Sequence, residues 1–277
     1  MRLLDQSAGL LTLDQTGMPH NLLTRFRRLL HRPHGMILVT GPTGSGKTTT
    51  LYGALSELNI AASKIITVED PVEYRLPRIN QVQTNNKIGL TFSNILRTTL
   101  RQDPDIIMVG EMRDQETAEI GLRGALTGHL VLSTLHTNNA ISSAVRLLDM
   151  GAPGYLVASS LRAVMAQRLV RKICDNCRED YRLNTEELLW LNSLDDNLKD
   201  INFKRGKGCQ SCNKTGYKGR IGVFELLEMT EVMMNALKVN DTVTSHFPDG
   251  GQLGGRSLAG RGHDPPFVLV VAKKPDT

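Results

Sequence analysis

The 277-residue chain has 40% hydrophobic and 22% charged residues, a composition that is ordinary for a soluble globular protein of one large or two smaller domains. Its net charge of +5 permits an acidic partner without requiring one, and only 4% of its residues are aromatic. Because nucleic-acid-binding surfaces usually interleave aromatics with clustered basic residues, we expect no nucleic-acid partner. No apolar stretch is long enough to span a membrane, and the start, MRLLDQSAGLLTLD, lacks the order of a signal peptide. We therefore expect a cytoplasmic protein.

Short apolar runs alternate with helical segments in the first half of the chain. The run Met36–Val39 predicts a buried strand, which a glycine-rich loop joins to a helix over Thr48–Leu58. KIITVED, DIIMVGE and HLVLSTLH predict three more strands, and helices are predicted over Thr117–Leu126 and Ala140–Leu148. This alternation predicts an α/β fold with a parallel sheet flanked by helices, in which ligands bind beyond the carboxyl ends of the strands.

The second half is less regular. Apolar spacing predicts a helix over Tyr155–Ile173, followed by a cysteine-flanked insert, a strand in IGVFELLEM and a helix that begins at Thr230. From about Ser245 the helical periodicity stops, and the density of Gly and Pro is typical of disorder.

The stretch GPTGSGKTTT joins the first predicted strand to its helix and fits the pattern G-x-x-x-x-G-K-[ST] of a phosphate-binding loop. In such a loop, backbone N–H groups and the helix N-terminus surround phosphate oxygens. Lys47 is expected to reach the β- and γ-phosphates of ATP, and the Thr48 hydroxyl to bind Mg²⁺. The predicted nucleotide-binding residues of the loop are Gly41, Pro42, Thr43, Gly44, Ser45, Gly46, Lys47, Thr48 and Thr49. The alternative is a glycine-rich turn without a ligand.

Carboxylates and histidines stand at the ends of the other predicted strands. Glu111 ends DIIMVGE, where it can activate the attacking water beside a phosphate loop. VEDPVE places three carboxylates close together, which is costly without a cation among them. An imidazole near a γ-phosphate can donate a hydrogen bond to it. The further candidates are Glu69, Asp70 and Glu73 in VEDPVE, and His129 and His136 on either side of the fourth strand. Solvated carboxylates and purely structural histidines are the alternatives.

The four cysteines form two Cys-x-x-Cys pairs with 31 residues between them. This gap is longer than in a usual zinc ribbon, and its segment YRLNTEELLWLNSL predicts a helix. Two such pairs favour a closed, structural Zn²⁺ site. Its ligands would be Cys174, Cys177, Cys209 and Cys212. Redox-active pairs or two disulfides are the alternatives.

Four stretches of the chain resemble one protein family. They are GPTGSGKTTTLYGAL, ITVEDPVEYRLPRINQVQ, LRQDPDIIMVGEMRDQETAEIGLRGALTGHLVLSTLHTNN and RLLDMGAPGYLVASSLRAVMAQRLVRKICDNC. Together they resemble the type II secretion and type IV pilus assembly ATPases, from about Met1 to Lys238. EYRLPRINQVQ and VGEMRDQET are most similar to the mannose-sensitive haemagglutinin pilus branch.

The resemblance implies a RecA-like fold and a cytoplasmic homo-hexamer that is peripheral to the inner membrane through its partners. Such motors use ATP and Mg²⁺ to drive pilin or pseudopilin assembly through an inner-membrane platform protein, and the assembly branch carries Zn²⁺ on four cysteines. By this resemblance Glu111, Glu73, His129 and His136 are catalytic, and Glu69 and Asp70 of the aspartate box bind the nucleotide with the loop.

The predicted organisation has five parts. They are the end of an N-terminal domain with its linker at 1–34, a RecA-like ATPase core at 35–172, a tetracysteine zinc subdomain at 173–222, the start of a helical subdomain at 223–244 and an atypical, disordered tail at 245–277. MRLLDQSAG resembles the last strand of the domain that precedes the motor in the family, so we expect Met1 to be internal to a longer protein. In the family that domain covers the nucleotide and supplies arginines to a neighbouring site. The tail is either a frame-shift product or a natural flexible segment.

Two functions other than an assembly motor therefore stay open. One is a truncated fragment that binds ATP without hydrolysing it and joins hexamers of the full-length protein. The other is a DNA-translocating RecA-like ATPase, against which the lack of a basic, aromatic-rich stripe argues.

Overall fold

A computed structural model describes residues 11–194 and 202–238, with the backbone alone for 190–194. The described residues divide into two compact units, 11–168 with 222–238, and 169–194 with 202–221. The predicted end of a preceding domain in MRLLDQSAG and the predicted disordered tail lie outside the described residues.

The strands confirm the predicted alternation of strands and helices. They are β1 (Gly35–Thr40), β2 (Ile65–Glu69), β3 (Asn80–Gln83), β4 (Ile106–Val109), β5 (Leu130–Leu135), β6 (Leu161–Ile173), β7 (Arg178–Tyr181), β8 (Phe203–Gly206) and β9 (Tyr217–Glu228). The large sheet has the order β3-β2-β4-β5-β1-β6-β9, and its first six strands pair in parallel. The predicted parallel α/β sheet is thus confirmed.

Helices cover both faces of this sheet. The helices are α1 (His20–Leu30), α2 (Lys47–Leu58), α3 (Phe92–Thr99), α4 (Gln115–Leu126), α5 (Ala140–Asp149), α6 (Gly154–Ser160), α7 (Thr185–Leu194) and α8 (Glu231–Lys238). Apolar residues of α1 and α2 pack with Ile37 and Val39 of β1, whereas those of α3, α4, α5, α6 and α8 pack with Met36 and Leu38. Because both faces of β1 are buried, its sequence is a continuous apolar run rather than an alternating one. None of the helices in the described ranges is both long and apolar enough to cross a bilayer.

The predicted helix over Tyr155–Ile173 is wrong for most of its length, because α6 ends at Ser160 and β6 begins at the next residue. Val164 packs into the core beneath α4–α6, and Met165 into the core beneath α1 and α2, so the first part of the strand, residues 161–167, is buried on both faces. Burial on both faces removes the period-two pattern that marks a half-exposed strand. Pairing with β1 then overrides the helix preference of the Ala, Leu, Met and Arg residues in this run.

The second unit contains the cysteines. Its strands β7 and β8 pair antiparallel, and α7 lies within the segment that predicted a helix. Gly206 and Gly216 approach so closely that a Cβ on Gly206 would lie 1.9 Å from the Gly216 carbonyl oxygen. Glycine is therefore required where these two backbone segments meet.

Candidate nucleotide-binding site

The glycine-rich loop leaves the carboxyl end of β1 and enters α2, which begins at Lys47. Gly41, Gly44 and Gly46 have φ of 145°, 77° and 88°, values that side chains disfavour. A Cβ on Gly41 would also lie 2.2 Å from the Gln167 carbonyl oxygen. The first N–H groups of α2 have no acceptors within the helix. Loop and helix together thus form a cradle of backbone donors of the kind that binds phosphate.

The polar side chains of this loop suit a phosphate and its metal ion. The Lys47 ammonium donates to the carbonyl oxygens of Gly41 and Pro42, at 2.8 and 3.2 Å. Burial lowers the pKa of Lys47, and the negative charge of Glu111 opposes that shift. Ser45 is buried, and its hydroxyl has no hydrogen-bond partner within the described residues. A phosphate oxygen would satisfy this hydroxyl and would give the buried ammonium a counter-charge.

A cluster of charged residues stands at the carboxyl ends of β4 and β5, the same sheet edge as the loop. The Glu111 carboxylate forms an ion pair with Arg113, and its Oε2 lies 3.6 Å from His136 Nε2. Arg113 also lies 4.0 Å from Asp70, and its pKa is raised, chiefly by the hydrogen bond to Glu111. The structure therefore brings together Glu111, His136 and Asp70, as the sequence predicts. Arg113 is a further member of this cluster, and the charged run after DIIMVGE could have indicated it.

Threonine hydroxyls form hydrogen bonds between the end of β1 and the segment that carries His136. The fully buried Thr40 lies immediately before the loop, and its hydroxyl is 2.7 Å from that of Thr137. The backbone N–H of Thr137 donates to the Thr40 hydroxyl oxygen at 3.0 Å. The Thr137 hydroxyl continues to Ser143 of α5, at 2.6 Å. This chain of hydrogen bonds fixes His136, the neighbour of Thr137, relative to the loop.

Glu69 is buried rather than presented to a ligand, with 3% of its surface exposed. Its carboxylate accepts hydrogen bonds from the hydroxyls of Tyr52 and Thr67, the latter at 2.5 Å, and from the Gln81 amide at 3.1 Å. The Tyr52 hydroxyl in turn accepts the backbone N–H of Glu73 at 3.3 Å. Glu69 therefore ties α2 to the acidic segment after β2, and of that segment Asp70 and Glu73 are the more exposed carboxylates.

His129 lies at the opposite edge of the sheet from the loop. It immediately precedes β5, and its backbone carbonyl accepts a hydrogen bond from Gly35, the first residue of β1. Its Nδ1 lies 2.9 Å from the Gly124 carbonyl oxygen, at the end of α4. A six-residue strand spans roughly 20 Å. The structure therefore separates His129 from His136, and a contact between His129 and a nucleotide on this loop has no support in it.

The four cysteines come together in the second unit as free thiols, and all four sulfur atoms lie within 4.8 Å of one another. The Sγ atoms of Cys174 and Cys209, and those of Cys177 and Cys212, are 3.9 Å apart. A tetrahedron with Zn–S bonds of about 2.3 Å has sulfur–sulfur edges of about 3.8 Å, whereas a disulfide needs about 2.05 Å. The spacing therefore fits a tetracysteine metal site rather than two disulfides.

Backbone N–H groups donate hydrogen bonds to sulfur atoms of this cluster. The N–H groups of Cys209 and Gly216 donate to the Cys212 sulfur, at 3.2 and 3.3 Å, and lower the pKa of Cys212 to about 6. Burial raises the pKa of the neighbouring Cys177 to about 12. Donors aimed at sulfur stabilise a thiolate, which is the form that binds metal.

Comparisons with known proteins relate this chain to one family. The family described as "Type II/IV secretion system protein" matches residues 1–256. The type II secretion system protein HxcR of Pseudomonas aeruginosa is 53% identical over 226 residues, which cover 82% of this chain and 44% of that protein. The type II secretion system ATPase E of Vibrio cholerae is 49% identical over 237 residues, which cover 86% of this chain and 47% of that protein. The chain thus spans less than half the length of these two relatives.

Two solved structures share the fold. The pilus retraction motor PilT with bound ADP has a TM-score of 0.61 and 32% identity, and the match covers 84% of this chain and 57% of that one. The ATPase DotB of Legionella pneumophila has a TM-score of 0.60 and 25% identity, with coverage of 85% and 56%. These likenesses confirm the α/β fold with a mostly parallel central sheet.

Proposed function

Because the chain belongs to the type II/IV secretion system protein family, we propose that it is the ATP-hydrolysing part of a motor that assembles pilins or pseudopilins. The observation that carries this proposal is the gathering of the phosphate-loop lysine, Lys47, with Glu111 and His136 at one edge of the sheet. Phosphoryl transfer depends mainly on positioning and on neutralising charge, which is what these groups provide.

Each of these residues has a proposed task. The loop N–H groups and the Lys47 ammonium would bind the phosphates, and the Thr48 hydroxyl with Asp70 and Glu73 would hold Mg²⁺. Mg²⁺, when bound, neutralises charge that develops on the phosphate oxygens. Glu111 orients the attacking water and accepts its proton, and His136 donates a hydrogen bond to the phosphate that is cleaved.

Calorimetric titration with ATP and Mg²⁺ tests the binding half of this proposal. Lys47→Ala removes the buried ammonium from a site that holds several carboxylates, and we expect it to abolish most ATP binding. The matched control is Lys87→Ala, which removes an exposed lysine before α3 and should bind ATP as the wild type does. Equal affinity of Lys47→Ala and the wild type would contradict the proposed site.

We also propose that the tetracysteine cluster holds one Zn²⁺ with a structural role. The sulfur–sulfur spacing and the N–H donors to Cys177 and Cys212 support a closed site of four thiolates. Such an ion would hold the ends of the insert together and contribute on the order of 10 kcal/mol to its folding. Metal analysis of freshly reduced protein should give one zinc per chain. Chelation should make the insert sensitive to proteases while the phosphate loop keeps its ATP affinity, and a zinc content near zero would exclude this role.

The assembly and its partners are further proposals. We propose a homo-hexamer that acts on an inner-membrane platform protein and is peripheral to that membrane, with the predicted order of core, zinc subdomain and helical subdomain. The names of the two relatives, both of type II secretion systems, support a place in such a machine. Sedimentation with and without ATP tests the hexamer.

The share of its relatives that the chain covers leaves room for an alternative function. The type IV pilus assembly ATPase PilB of Myxococcus xanthus is 50% identical over 228 residues, yet these cover only 40% of that protein. We therefore keep a second candidate function, a chain that binds ATP at its phosphate loop without hydrolysing it. Binding without turnover by the chain alone would favour this alternative.

A further inference from the structure

A buried glutamine that is not among the predicted site residues contacts the phosphate loop at several points. Gln167 lies on β6 and is 2% exposed. Its side-chain oxygen accepts a hydrogen bond from the Thr50 hydroxyl of α2 at 2.8 Å, and its side-chain nitrogen donates to the Ser45 carbonyl oxygen at 2.7 Å. Its own carbonyl oxygen lies where a side chain on Gly41 would point. One residue thus contacts both ends of the loop and the first turns of the following helix.

The strand that carries Gln167 is itself fixed to the strand that leads into the loop. β6 pairs with β1 in parallel up to Thr40 and Ala166, the residues immediately before Gly41 and Gln167. This pairing fixes the Gln167 backbone beside the end of β1. The side chain of Gln167 therefore fixes the phosphate loop relative to the sheet, although the loop has no regular backbone pairing of its own. The two contacts require a donor for the Ser45 carbonyl oxygen and an acceptor for the Thr50 hydroxyl. Few other side chains of this length carry both groups.

The bond to Ser45 also sets the direction of a neighbouring donor. The Ser45 carbonyl and the Gly46 N–H belong to one planar trans peptide and point in opposite directions. When Gln167 holds that carbonyl, the Gly46 N–H is held pointing away from the Gln167 amide. Loop N–H groups that are fixed before a phosphate arrives bind it more tightly, because no ordering is needed at that moment.

We propose that Gln167 is a positioning residue that pre-orders the phosphate loop for nucleotide, an inference that rests on the proposed ATP binding. Gln167→Met keeps the length of the side chain and removes both hydrogen bonds. Gln167→Glu keeps an acceptor for Thr50 and loses the donor to Ser45. We expect Gln167→Met to bind ATP about tenfold more weakly, which corresponds to roughly 1.4 kcal/mol. Gln167→Glu should bind it at least as weakly, because it sets a negative charge beside the loop.

The control distinguishes positioning from general stability. Ser160→Ala removes a comparably buried hydrogen bond, from the Ser160 hydroxyl to the Leu122 carbonyl oxygen at 2.8 Å, between α6 and α4. It should lower the melting temperature as Gln167→Met does while leaving ATP affinity within about twofold of the wild type. If turnover is measurable, Gln167→Met should raise KM and leave kcat nearly unchanged.

Calorimetry of the wild type and the variants, with circular dichroism as the check on folding, gives separable outcomes. A wild type that binds no ATP would refute the proposed function itself. A wild type that binds ATP, with Gln167→Met within twofold of it, would overturn the positioning role. Should Gln167→Met fail to fold, Gln167→Glu removes the donor to Ser45 and keeps the acceptor for Thr50, and affinity within twofold of the wild type in that variant would overturn the inference equally.

Discussion

Replacing Tyr52 with phenylalanine is expected to loosen the acidic segment that follows β2. The substitution keeps the buried ring and removes the hydroxyl that donates to Glu69 and accepts the Glu73 N–H. Glu69 would keep its bonds from Thr67 and Gln81, but one oxygen of a buried carboxylate would lose its donor.

The size of the effect follows from the burial of Glu69. A hydrogen bond to a charged group contributes about 1.5–3 kcal/mol, and an unsatisfied buried partner costs as much. A loss of about 2 kcal/mol corresponds to amide exchange roughly thirtyfold faster, at about 1.4 kcal/mol per factor of ten. The increase should be confined to the end of β2 and residues 70–73, because the Tyr52 hydroxyl contacts Glu69 and the N–H of Glu73.

Hydrogen exchange followed by mass spectrometry measures this region directly. Tyr74→Phe is the matched control, because its ring packs edge-on against Tyr52 at 6.3 Å while its hydroxyl has no hydrogen-bond partner in the described ranges. Tyr74→Phe should exchange at the wild-type rate. If Tyr52→Phe also exchanged at that rate, Glu69 would not be fixing the segment, and its carboxylate would need another role.

Other substitutions probe the remaining parts of the structure. Cys209→Ser should make the insert as protease-sensitive as chelation does, because three ligands leave an open zinc position; unchanged protease resistance would disprove the four-cysteine site. Burial raises the pKa of Glu225, whose Oε2 has no hydrogen-bond partner within the described residues. A carboxyl group whose pKa is raised by folding costs stability above its unfolded pKa of about 4.3, so Glu225→Gln should raise the melting temperature at pH 7. That gain should shrink as the pH falls towards 4, and a gain independent of pH would contradict it. His129→Ala should leave ATP affinity unchanged, whereas His136→Ala should slow hydrolysis; a loss of affinity in His129→Ala would contradict the placement of that ring.

Much of the sheet could be predicted because its buried strands carry a strong signal. The runs that form β1, β2, β4 and β5 are apolar, short and bounded by polar residues, and each was predicted within a few positions. The phosphate loop and the cysteine pairs were predictable because their chemistry requires fixed spacings. These signals are local, so the sequence displays them directly.

The parts that were missed depend on contacts between distant residues. β6 has the composition of a helix and becomes a strand through its pairing with β1, so Gln167 could not be placed beside the loop. Glu69 was predicted to bind nucleotide with its neighbours, yet Tyr52 and Gln81, from α2 and β3, surround its carboxylate. His129 and His136 both stand next to the same predicted strand in the sequence. Because His129 precedes β5 and His136 follows it, the two histidines lie at opposite edges of the sheet.

Glu111→Gln tests the central claim most directly, through ATP affinity and hydrolysis measured together on the chain with Mg²⁺. The glutamine keeps the size of the side chain but cannot accept a proton from water. We expect ATP affinity within about twofold of the wild type and hydrolysis at least about a hundredfold slower. Equal hydrolysis in both proteins would remove Glu111 from the reaction, and a wild type that binds ATP without any turnover would contradict a motor that works through this chain alone.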